Sequence, residues 1–139
     1  MSTYPPRCVV ELERRTIPGE DRDTVVREMD GLLRALAARD PAFKAECDVF
    51  FYRSSFEVSP DEPIVRALRQ ASIDVMGREP EIGGSTAWLD SAVLKDAGIP
   101  TAVFGAGGTG AHSAVEWADF DSVVDCARVL SRAIATFCA

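Results

Sequence analysis

This sequence contains one imidazole, His112, and a carboxylate follows it four residues later at Glu116. A neutral imidazole can ligate a transition-metal ion or move a proton near neutral pH. If the segment coils as a helix, Glu116 shares a face with His112 and can hydrogen-bond the ring or the loop. The bland alternatives are a surface histidine and a first-turn carboxylate. What distinguishes His112 is its approach: the apolar run Thr101 to Phe104 leads into the glycine-rich stretch Gly105-Ala106-Gly107-Gly108-Thr109-Gly110. Open α/β sheets place their ligands at such a strand end. Asp90, just before Ser91, reads either as a helix N-cap or as an acid that orients a metal-site residue.

The same glycine run satisfies G-x-G-x-x-G after an expected strand, the pattern of a dinucleotide loop. Such a site needs a helix starting on the loop and a second parallel strand ending in an acidic residue about twenty residues on. Here the chain passes through His112 and Glu116 into one long final helix, so nucleotide binding is disfavoured.

Several elements must position these groups. Residues 7–16 alternate in apolarity with the period of a half-buried strand and end at Pro18-Gly19. An acidic entry at Glu20, Asp21 and Asp23 precedes apolar residues at helical spacing over 23–38. Residues 43–52 alternate again, which predicts a second strand whose apolar face the helix covers. Pro60 to Pro63 breaks the chain before a helix that closes at Gly77. Ser91 to Ala97 reads as a short helix ended by Gly98, and Ile99-Pro100 turns into the strand at 101–104. The last helix starts near Asp119, with Phe120, Val123, Val124, Ala127, Leu130, Ile134 and Phe137 as its apolar stripe.

These motifs resemble the C-terminal end of the metal-dependent deacylases and exopeptidases typified by acetylornithine deacetylase, succinyl-diaminopimelate desuccinylase and carboxypeptidase G. The resemblance rests on Asp90, Gly98-Ile99-Pro100, the strand 101–104, Gly105-Ala106-Gly107, His112 and Glu116, with Gly-Ala-Gly where the family has Gly-Pro-Gly. It extends to Arg15, Pro18, Gly19 and Glu20, which match the strand and Pro-Gly-Glu helix entry of the family's lid domain.

The resemblance implies an α/β protein: part of an α+β ferredoxin-like lid over 1–59, then the C-terminal part of a metallopeptidase-like α/β catalytic domain over 60–139. It implies His112 as a ligand to a divalent metal, zinc first, with cobalt or manganese as alternatives. Asp90 and Glu116 become supporting residues around that ligand, and Arg15, Gly107 and Gly108 substrate-binding residues. In such enzymes two metal ions polarise an amide carbonyl and acidify a bridging water, and a glutamate takes its proton. Neither that base nor the family's His-x-Asp motif is identifiable here, so the chain alone is expected to be inactive. The implied substrate is a small N-acyl amino acid or dipeptide, and the implied partner a second copy or a complementing N-terminal fragment. The reading from another class is a non-catalytic fragment or dimerisation module.

Composition sets the outer bounds. With 139 residues, 47% hydrophobic and 27% charged, the chain can build a core, and a net charge of -7 argues against nucleic acid or an anionic membrane as partner. No apolar run approaches the roughly 18 residues of a membrane span, and residues 1–20 lack the order of a signal peptide, so the cytoplasm is the expected compartment. Cys8, Cys47 and Cys126 fall in apolar phase with their neighbours and are expected to be reduced and buried, while Cys138 is terminal.

Overall fold

The computed structural model describes residues 3–139. The chain divides into two units between Tyr52 and Arg53, whereas the sequence pattern changes at Ser59-Pro60.

Among the described residues of the first unit the one regular element is α1, Arg22–Arg39. Its start follows from the acidic entry: Asp21 is the N-cap, and its carboxylate accepts both the amide N–H and the hydroxyl of Thr24, each at 2.7 Å. Nearby, Arg14 pairs with Glu20 (2.8 Å) and with Glu28 of the helix.

The strands expected at 7–16 and 43–52 do not form: both segments lie outside any β-ladder among the described residues. The alternation is present, but a strand exists only with a neighbour, and two strands with one helix bury too little to hold themselves together. The consequence is visible in the side chains. Val10, Leu12 and Phe51 are exposed, α1 has no fully buried residue, and Cys8 and Cys47 are exposed rather than buried.

The second unit is built on two helices. Helix α2, Pro63–Met76, begins with proline at its first position and ends at Gly77, which takes the left-handed conformation (φ 68) and returns its N–H to the Ile73 carbonyl at 2.9 Å. Helix α4, Phe120–Phe137, packs against it. The core consists of Ala71, Val129 and Ala133, flanked by Leu68, Val75, Met76 and Phe104. At the rim, Arg132 Nε donates to Asp74 Oδ2 (3.1 Å), while Gln70 donates to the other carboxylate oxygen (2.8 Å). These bonds hold the Asp74 carboxyl below its ordinary range, Gln70 first and Arg132 second.

The buried face of α4 is therefore not the stripe read from the sequence. Val129 and Ala133, with Cys126 half-buried, face α2, while Phe120, Val123, Leu130, Ile134 and Phe137 stay exposed. Small residues allow the helix backbones to approach closely.

Helix α3, Ser91–Asp96, stops as expected: Gly98 (φ 75) returns its N–H to the Lys95 carbonyl and Ile99 to that of Leu94, a double C-terminal cap. The strand expected at 101–104 does not form: the run joins no ladder among the described residues. Phe104 packs on the core and Val103 is exposed.

Candidate functional site

The segment expected to coil after the glycine run forms a β-hairpin. Strand β1, Gly108–Thr109, pairs antiparallel with β2, Trp117–Ala118, in the register Gly108 to Ala118 and Thr109 to Trp117. Two glycines permit this closure. A Cβ on Gly108 would lie 2.5 Å from the Trp117 carbonyl oxygen, and one on Gly110 would lie 2.0 Å from that of Val115. Gly110 also sits at φ 77, which an L side chain resists.

His112 stands in the tip of this hairpin. The Ser113 amide donates to the Gly110 carbonyl at 2.8 Å, which closes a four-residue turn with His112 third at φ 62. A positive φ at that position is the mark of a type II turn, and histidine is among the side chains that tolerate it. The imidazole is exposed. It lies neither among Val103, Val123 and Leu130 nor in a cluster with acids. Because the segment is a hairpin, Glu116 sits next to β2 and shares no helical face with His112.

Asp90 holds the N-cap position of α3 but makes no capping bond with its side chain, and both it and Glu116 are exposed. Ser91, the next residue, is buried with its hydroxyl unpartnered among the described residues. The amide of Gly107 donates to Ser122 Oγ at 2.7 Å, so it is engaged within the chain. In the first unit, Arg15 Nε donates to Glu13 at 2.9 Å and the side chain is exposed. The dinucleotide geometry is absent as well, since α4 starts at Phe120, beyond the hairpin, rather than on the glycine loop.

As a metal centre the described residues are incomplete. An exposed imidazole held on a closed turn is a competent single donor, but no group of three or more His, Cys, Asp or Glu side chains is arranged to hold an ion among the described residues. A groove of about 520 Å³ along α2 and α4, lined by Arg66, Asp74, Arg132 and Phe137 among others, is separate from these residues. No helix among the described residues is long and apolar enough to cross a membrane.

A family model described as peptidase family M20/M25/M40 matches residues 4–136. The chain belongs to that family. Among curated proteins it is similar to an acetylornithine deacetylase of Myxococcus xanthus, 30% identical over 138 residues, covering 99% of this chain and 35% of the relative. It is also similar to the N-formyl-4-amino-5-aminomethyl-2-methylpyrimidine deformylase of Bacillus subtilis (strain 168), 28% identical over 134 residues, covering 87% of this chain and 32% of the relative. The chain thus spans about a third of the length of these relatives. No solved structure matches.

Two features escaped the sequence reading. One is the hairpin, whose signal was the spacing of Gly108 and Gly110 ahead of the aromatic Trp117. The other is Ser122, which stands three residues after Asp119, the spacing of a helix cap and its third helical residue.

Proposed function

We propose that this chain is the C-terminal portion of a metal-dependent amidohydrolase that cleaves an acyl-amide or peptide bond of a small N-acyl amino acid or dipeptide. The observation that carries this reading is the family match over 133 of 139 residues, from 4 to 136, which includes His112 on its glycine-closed turn. The names of the two relatives add the direction: one removes an acetyl group and the other a formyl group.

In this reading His112 supplies one ligand to a divalent ion, zinc or else cobalt or manganese. When bound, such an ion supplies Lewis acidity toward an amide carbonyl and lowers the pKa of water. The chain's own part is to present the imidazole on a fixed turn. Asp90 and Glu116 orient the metal-site residues, Gly107 and Gly108 line the substrate without side chains, and the Arg15 guanidinium pairs with a substrate carboxylate. Residues 1–59 take the place of half an α+β lid and 60–139 that of the end of the catalytic domain, in a cytoplasmic enzyme.

A second reading, a non-catalytic module that associates with a second copy or a complementing fragment, is favoured by two observations. The described residues gather no cluster of metal donors, and the apolar stripe of α4 is uncovered.

Metal retention separates the two. Zinc is measured after brief dialysis against a chelator, for the chain alone and for the chain refolded with the N-terminal portion of the Myxococcus xanthus relative. About two ions per pair, reduced by His112→Ala, supports the enzyme reading. Retention by the pair that ignores His112→Ala removes His112 as a ligand.

A further inference from the structure

We propose that Ser122 is a positioning residue for His112, acting through Gly107 at the base of the hairpin; this rests on the reading of His112 as the functional group of the hairpin. Three hydrogen bonds form a closed clamp there. The Gly107 N–H donates to Ser122 Oγ at 2.7 Å, the Asp119 N–H donates to the Gly107 carbonyl at 2.9 Å, and the Ser122 N–H donates to Asp119 Oδ1 at 2.7 Å. Both backbone groups of one glycine are thus held by the first turn of α4.

The arrangement is a helix cap with a residue inserted into it. Asp119 is the N-cap and Ser122 the third helical residue, positions whose side chains ordinarily bond each other's backbone. Here Asp119 keeps its half of the exchange. The Ser122 hydroxyl bonds the amide of Gly107 instead, and the amide of Asp119 bonds that residue's carbonyl. The N-terminus of α4 is stabilised and the stem is anchored by the same groups.

The anchor matters because the hairpin is short. Two residue pairs, Gly108 with Ala118 and Thr109 with Trp117, are its whole ladder, and a ribbon that small is marginal in water. The clamp at Gly107 and Asp119 adds a rung at the base and ties it to a helix that is itself packed in the core through Val129 and Ala133. The hydroxyl also fits the space. A Cβ on Gly107 would approach Ser122 Oγ at 3.4 Å, so serine meets glycine at contact distance. Position at the tip passes from α4, through Ser122 and Gly107, to His112.

The test compares the full chain with its Ser122→Ala and Ser122→Thr variants by amide hydrogen exchange and 15N relaxation, without added metal. Ser122→Ala should speed exchange of the Gly107 amide by about five- to tenfold, as loss of one hydrogen bond implies, and lower the heteronuclear NOE across 110–116. Protection of α4 from Val129 onward should not change. Ser122→Thr, which keeps the hydroxyl, should restore both readings. A hairpin as ordered in Ser122→Ala as in the parent would overturn the proposal. So would loss of protection along α4 to the same degree, because Ser122 would then serve the helix rather than the hairpin. Since no readout involves metal, a failure of His112 to retain zinc would strike only the enzymatic reading.

Discussion

The carbonyl oxygen of Val115 occupies the space in which a side chain at Gly110 would begin, 2.0 Å from an ideal Cβ. The Val115 carbonyl approaches Gly110 from the other arm of the hairpin that carries His112, and the left-handed φ of 77 at Gly110 adds to the constraint. Gly110→Ala would cost about 1–2 kcal/mol from the left-handed backbone alone, before the clash is relieved. The expected outcome is an opened turn, read as faster proteolysis between 110 and 116 with the α2–α4 core intact. A turn cut no faster than in the parent would show that closure does not depend on glycine.

Val129 is completely buried between α2 and α4. Its truncation to alanine should destabilise the second unit by about 2 kcal/mol, the loss of two methyl groups plus a cavity that helices cannot fully close. Urea unfolding followed by the fluorescence of Trp88 and Trp117 reports this, since both of the protein's tryptophans lie within Arg53–Ala139. An unchanged midpoint would contradict the packing described.

That core also shows why part of the fold was hidden in the sequence. Helix boundaries were readable because their causes are local: the Asp21 cap, Pro63 at a first position, and the glycines at 77 and 98. The buried face of α4 was not, because Val129 and Ala133 are smaller than the competing stripe of Phe120, Leu130, Ile134 and Phe137. Periodicity ranks faces by apolarity and cannot say which one has a partner. Strand alternation at 7–16 and 43–52 was equally real and equally incomplete, since pairing depends on residues distant in sequence. In the candidate site, His112 and its glycine approach were legible. The hairpin geometry and the Ser122 clamp were not, because both depend on backbone closures that residue types alone leave open.

Asp21 gives a pH signature. Its carboxyl is held below the ordinary value of 3.8, first by the Thr24 hydroxyl and next by the Thr24 amide. A carboxyl lowered in this way stabilises the folded helix start above 3.8 and loses that contribution as pH falls through the lower folded value. The chemical shift of the Thr24 amide proton should therefore report an Asp21 titration with a midpoint below 3.8, and acidification past it should fray the first turn of α1. An amide midpoint at or above the ordinary value would mean that the cap does not form.

The most direct test of the central claim, that this chain is one portion of an M20/M25/M40 amidohydrolase in which His112 is a metal ligand, is a turnover assay. Purified chain is assayed with zinc, manganese and cobalt on a panel of N-acyl amino acids, alone and with the N-terminal portion of the Myxococcus xanthus relative. The account predicts no turnover by the chain alone and metal-dependent turnover by the pair, reduced at least about a hundredfold by His112→Ala, as loss of a metal ligand implies. Turnover by the pair that survives His112→Ala, or metal-dependent turnover by the chain alone, would contradict it.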